Sequence, residues 1–215
     1  HMTIDDWNDT IESEIDDMYA EGISSFKMYM TYPAMMIGDK LMYRVLKKLK
    51  EKGGICGVHC ENAGVIDALI EEKKAAGEQG SVGCHPRTRP DYLEAEAVGR
   101  LLHIAEAADS PVVIVHTTNA AALKEIEAAR RRGQRVYVET CPQYLILDDS
   151  VYDNEDWLQA AKYVCAPPIR KAADRKVLWQ AIRRGEVQTV STDHCSFTTA
   201  QKLAGRNDFT AIPGG

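Results

Sequence analysis

Apolar runs alternate with amphipathic segments along the chain, in a constant order. The first run, Gly22 to Met30 (GISSFKMYM), has strand character and ends in Tyr32-Pro33. Leu41, Val45, Leu46 and Leu49 then recur near the helical period, with Asp39 at the start and Gly53 at the stop. Gly54 to His59 (GICGVH) is the next strand. The helix after it runs through Val65, Ile66, Leu69 and Ile70 and closes at Gly77. Gly77 to Pro90 (GEQGSVGCHPRTRP) predicts a long loop, the best candidate for a lid or a substrate-facing excursion.

A helix from Asp91 to Ala108 leads into a buried strand, PVVIVH, at Pro111 to His116. Asn119 can cap the following helix, whose basic end Arg130-Arg131-Arg132 suits the helix dipole and meets Gly133. The strand RVYVET at Arg135 to Thr140 comes next. After an irregular stretch, a helix through Val177, Leu178, Ala181 and Ile182 ends at Gly185, and the last strand is VQTVST at Val187 to Thr192. Five strands separated by helices imply an α/β fold with a parallel sheet, because crossover helices connect parallel neighbours. No repeat or linker divides the chain, so residues 1–215 read as a single domain. His1-Met2 resembles a cloning scar and is expected to lie outside the fold.

Composition narrows the partners. With 26 basic against 32 acidic residues the chain carries a net charge of −6. That balance argues against nucleic acid and against an anionic membrane surface, both of which need clustered Lys and Arg. The uncharged apolar runs are too short for a membrane span. Six cysteines without a CxxC read as reduced thiols and imply a cytoplasmic location. At 215 residues the chain falls short of the roughly 250 of a complete (β/α)8 barrel.

Candidate chemistry collects at the strand ends. His59 ends GICGVH, His116 ends PVVIVH and Asp193 follows VQTVST. Side chains at the carboxyl ends of parallel strands converge, so two His and an Asp there make a metal site plausible. Each alone is more often a hydrogen-bonded structural residue, and it is the combination at equivalent strand ends that carries the metal reading. Lys27, inside the first strand, is expensive to bury unless paired or chemically altered, although its stem can pack while the amine reaches water. His103 sits within a helix, where a surface or packing role is the default. His194 can support a ligand, and His85 in the long loop has no assigned role. A Cys nucleophile with a His base is conceivable among Cys60, Cys141, Cys165 and Cys195, but buried thiols are commoner.

Six segments occur in a fixed order: FKMYMTY at Phe26 to Tyr32, GVHCEN at Gly57 to Asn62, VHTTN at Val115 to Asn119, ETCPQYL at Glu139 to Leu145, CAPPIR at Cys165 to Arg170 and STDHCSF at Ser191 to Phe197. Together they resemble the dihydropyrimidinase/D-hydantoinase branch of the cyclic amidohydrolases. The resemblance implies a partial (β/α)8 TIM barrel of the metal-dependent hydrolase type, with the five strands matching the fourth to eighth of the barrel.

The same resemblance implies the site. Lys27 is similar to the lysine that reacts with carbon dioxide to give a carbamate bridging two zinc ions. His59 and His116 resemble the histidines holding the more exposed metal, and Asp193 resembles the aspartate that binds the other metal and moves protons. Tyr32 resembles the tyrosine that stabilises the oxyanion. Ala166 and Gly214 stand where backbone groups hold the substrate amide, with Ala166 replacing a usual Ser and IPGG at Ile212 to Gly215 replacing an IPNG-like segment. Gln143 stands where many relatives carry His.

The family's His-x-His pair occurs nowhere in the chain. The first strands and the small β domain are expected to be missing, leaving a fragment that holds at most one zinc and is nearly inactive. The implied substrate is a small cyclic amide, and the implied assembly is a homo-oligomer, a tetramer in the parent protein. Allantoinase, dihydroorotase and the non-catalytic collapsin response mediators are the alternatives.

Overall fold

A computed structural model describes residues 1–215. Its sheet has six parallel strands in sequential order: β1 (Met2–Thr3), β2 (Ser25–Tyr29), β3 (Ile55–His59), β4 (Val112–Ile114), β5 (Val136–Thr140) and β6 (Thr189–Val190). The helices that return the chain between neighbours are α1 (Asp9–Ala20), α2 (Asp39–Lys52), α3 (Ala63–Ala75), α4 (Cys84–Thr88), α5 (Asp91–Ala108), α6 (Ala120–Arg131), α7 (Pro142–Ile146), α8 (Trp157–Ala161) and α9 (Ala172–Arg183). A short α10 (Thr199–Leu203) follows the last strand.

Alternation along the strands sorts the residues onto two faces. Phe26, Met28, Cys56, Val58, Val112, Ile114, Val136 and Val138 are buried and join one core cluster with Val45, Leu46, Leu49, Leu101, Leu102 and Ile126 of the helices. On the other face, Lys27 is level with Gly57 and Tyr29 with His59. Gly57 is required there: a Cβ would lie 2.9 Å from Val115 Cγ1 and 3.8 Å from Lys27 Cδ.

The helix boundaries follow the local chemistry. Asn119 accepts a hydrogen bond from the Ala122 amide and caps α6 as expected. Gly53, Gly77, Gly133 and Gly185 adopt positive φ at the helix ends where the sequence places stops.

Four expectations are corrected. There are six strands, not five, because Met2 and Thr3 pair with Phe26 and Lys27. Main-chain pairing at a sheet edge needs no particular side chain, and buried Ile4 and Trp7 anchor the segment, so Met2 belongs to the fold. The Gly77–Pro90 segment is a packed excursion rather than an open lid: it contains α4, and Val82, Cys84, His85 and Thr88 are buried. PVVIVH is a strand only over Val112–Ile114, since His116 turns away at φ +40°. The final strand shrinks to Thr189–Val190, both exposed, because it pairs only with β5.

Candidate active site

Three strand ends and two following segments form the site. Lys27 lies mid-β2 with 9 % of its surface exposed. Burial lowers its pKa, opposed by the charges of Asp193 and Glu139. His59 ends β3, and its ring centroid lies 4.5 Å from that of His116. Both histidines are 2 % exposed. Burial, then the neighbouring His59 and Lys27, holds His116 well below the ordinary histidine pKa, so its imidazole is neutral. Its Nε2 is buried with no hydrogen-bond partner. A buried polar atom left unpaired is rare, and it is the form a metal-binding imidazole takes.

Tyr32 lies at φ +70°, with its ring 5.2 Å from that of His59. Burial first, then the charge of Glu61, raises its pKa, which keeps the phenol protonated as a donor. Asp193, at φ +46°, is exposed. Tyr32, His59, Ala166, Asp193 and Gly214 line one cavity of about 620 Å³, so the substrate-contact candidates face a common space. Gly214 packs on the Cys165-Ala166 backbone, at 3.8 Å from the position of an added Cβ. No three His, Cys, Asp or Glu side chains converge at metal-binding distance. The cluster that does converge is two histidines with Lys27 behind them.

Of the non-glycine residues with positive φ, Tyr32, His116 and Asp193 are all site candidates, and Asp109 is a helix C-cap. Such backbone is strained for ordinary residues and collects at functional sites. Burial raises the thiol of Cys165 to about 11, that of Cys141 to about 12 and that of Cys60 higher still, so none of these three nucleophile candidates carries an ionised sulfur. Every cysteine is free. His103 is exposed and lies 3.6 Å from Glu106, a surface role. His194 lines the cavity and is exposed.

Sequence reasoning missed the groups behind the histidines. Glu61, Glu94, Arg89, Arg170 and Thr118 form a nearly solvent-free array. The signal for Glu61 was present: two residues beyond His59, it falls on the same side of an extended chain. His85 bridges α4 to the site wall, its Nε2 donating to the Cys165 carbonyl at 2.8 Å.

Known proteins resemble this chain in sequence and in backbone fold. No family model matches the chain. A D-hydantoinase of Geobacillus stearothermophilus is 40 % identical over the whole chain, which covers 46 % of that protein. A D-hydantoinase of Streptomyces coelicolor is 39 % identical, also with 46 % of its length covered. The solved dihydropyrimidinase of Brevibacillus agri superposes over the full chain with a TM-score of 0.97 and 40 % identity, 47 % of that chain being covered. This stretch of chain belongs to the hydantoinase/dihydropyrimidinase family.

It spans about half the length of the curated relatives it matches. Family membership makes the six-stranded sheet part of a TIM barrel. A dihydroorotase of Campylobacter jejuni, at 14 % identity and a TM-score of 0.61, shares the fold alone. No helix is long and apolar enough to cross a membrane.

Proposed function

We propose that the chain carries part of the catalytic site of a zinc-dependent cyclic amidohydrolase that opens dihydropyrimidines or 5-substituted hydantoins to N-carbamoyl amino acids. The observation that carries the reading is the unpaired, buried Nε2 of His116 beside His59 and Lys27. Names of similar proteins, D-hydantoinase and dihydropyrimidinase, support the substrate class.

Lys27, His59 and His116 fit one zinc, with Asp193 and Lys27 contributing to a second. Burial lowers the Lys27 pKa and so favours the free amine, which attacks carbon dioxide; a C–N bond forms and a proton leaves. The carbamate replaces a costly buried cation with an anionic ligand. Zinc held there supplies a Lewis acid for the ring carbonyl and lowers the pKa of a bound water.

The chain's own groups divide the remaining work. Tyr32 donates a hydrogen bond to the oxygen on which negative charge develops. Asp193 takes the proton of the attacking water and returns it to the departing ring nitrogen as the C–N bond breaks. Backbone groups at Ala166 and Gly214 hold the ring amide in the cavity.

The test is ring opening by the protein that carries this segment at its relatives' length. Dihydrouracil, a 5-substituted hydantoin, allantoin and dihydroorotate are compared, with zinc analysis alongside. Turnover of either of the first two is expected. Turnover of only allantoin or dihydroorotate, or of none, removes the proposal. The 215-residue chain alone is expected to hold at most one zinc.

A further inference from the structure

One buried cation has no part in the reading above. Lys202, in α10, is 3 % exposed. Arg89 and Arg170 are each paired with a carboxylate, but the Lys202 ammonium meets main-chain oxygen instead. Its Nζ donates to the carbonyls of Val164 at 3.1 Å, Pro213 at 2.7 Å and Gly215 at 3.1 Å. An ammonium has three N–H donors and no acceptor, so all three are used. The Phe197 ring lies alongside, its centroid 5.9 Å from Nζ. Locally, Thr198 and Gln201 close a reciprocal capping box that fixes the start of the helix carrying Lys202.

The three carbonyls belong to two segments that meet at the cavity. Val164 lies two residues before Ala166, and Pro213 and Gly215 flank Gly214. The Gly215 amide also donates to the Val164 carbonyl, at 3.0 Å. Beside Ala166, the Cys165 carbonyl accepts from His85 Nε2 at 2.8 Å and the Pro167 carbonyl from Tyr144 Oη at 2.7 Å. All four carbonyls that flank Ala166 and Gly214 are therefore occupied. The amide and carbonyl groups of Ala166 and Gly214 themselves make no hydrogen bond within the chain, and both residues line the cavity.

A cation is costly to bury, and an apolar side chain of the same length would fill the space without that cost. What the ammonium adds is convergence. Hydrogen bonds from a charged donor are about twice as strong as neutral ones, and here three of them draw two segments to one point. Lys202 does not itself line the cavity, so it acts through the backbone it holds.

We infer that Lys202 is a positioning residue whose ammonium clamps Val164 to Pro213 and Gly215 and so sets the spacing of the free backbone groups of Ala166 and Gly214 that receive the ring amide. The role towards substrate rests on the amidohydrolase reading; the clamp does not.

The clamp is tested in the 215-residue chain by ¹⁵N–¹H spectra. An ammonium in water exchanges its hydrogens too fast to be seen at neutral pH, whereas that of Lys202 is expected to give a slowly exchanging signal. Lys202→Met keeps the apolar stem and removes the donors, and it is expected to shift the amide signals of Ala166 and Gly214. The role is tested in the protein that carries this segment at its relatives' length, with dihydrouracil and a 5-substituted hydantoin. Lys202→Met is expected to raise KM by about tenfold and to leave kcat and zinc content unchanged, because binding is lost equally from substrate and transition state. A purely structural staple would lower the fraction of active protein, and with it the apparent kcat, at constant KM.

A lower kcat at unchanged KM therefore overturns the inference. So does a wild-type chain without a protected Lys202 signal, or a Lys202→Met chain in which the Ala166 and Gly214 amides do not move. If Lys202→Met does not fold, Lys202→Gln, which keeps a neutral donor, is read by the same split, and an unchanged KM overturns the inference. A wild-type protein that opens neither ring removes the amidohydrolase reading, while the spectra still decide the clamp.

Discussion

Lys27 within β2, His59 at the end of β3 and His116 just past β4 are buried, and the histidines are backed by a charge-balanced array. At the end of β6 every residue from Gln188 to Ser196, Asp193 included, is exposed. The same site thus has one wall fixed by packing and paired ions and another held by backbone alone. The strands show why: β3 has paired neighbours on both sides, whereas β6 pairs only with β5. An edge strand receives half the hydrogen bonds and little of the burial that positions a side chain. Geometry near His59 is therefore built into this chain, while geometry at Asp193 depends on what lies against the open edge.

The largest way to break this contrast is Arg170→Met. It leaves Glu94 buried without its cation, and breaking one partner of a buried pair costs about 3–5 kcal/mol. Urea unfolding of the 215-residue chain should show a loss of that size. A loss under about 1 kcal/mol would mean that the array contributes no more than a surface pair.

Next in size is a pH effect at the packed wall. Burial first, then Arg89, lowers the pKa of His85 to about 4, against an ordinary value of 6.5. Below pH 6.5 the unfolded chain binds the proton first, so stability falls as pH drops from 6.5 towards 4. The full shift corresponds to about 3 kcal/mol. Unfolding measured across that window should lose this increment in the wild type and not in His85→Gln. Equal slopes in the two proteins would show that His85 is protonated equally in both states.

Smaller again is Gly57→Ala, which sharpens the account of Lys27. The new methyl meets Val115 Cγ1 at 2.9 Å, and overpacking of this kind costs about 1–3 kcal/mol. A thermal scan showing no loss would mean that the sheet gives way at Val115, and that the Lys27 stem is less confined than its burial implies.

The contrast also marks what was legible in the sequence. His59 and the Lys27 strand were readable because alternation and strand ends fix which face a residue takes. The caps were readable because Asn119 and the stop glycines act locally. The Gly77–Pro90 excursion was misread as an open loop because its order comes from partners far away in sequence: His85 reaches Cys165 and Arg89 reaches Glu61. Arg170 closed the resemblance motif CAPPIR, yet nothing local says that it meets Glu94 and Thr118. Met2 was set aside because His1-Met2 resembles a cloning scar, and edge pairing through the main chain leaves no side-chain signal to say otherwise. The positive φ of Tyr32, His116 and Asp193 had no signal either, since none is a glycine.

The smallest expected effect tests the open wall directly. Asp193→Asn keeps a residue type that tolerates the left-handed backbone at φ +46°, so the fold should not resist it. The lost charge acts on Lys27 from an exposed position, where solvent screens it, and surface changes of this kind stay within about 0.5 kcal/mol. Urea unfolding of the 215-residue variant should therefore match the wild type, even though Asp193 is the proposed proton carrier. A loss above about 1 kcal/mol would mean that Asp193 is held by its surroundings as firmly as the histidines are, and the difference between the two walls would disappear.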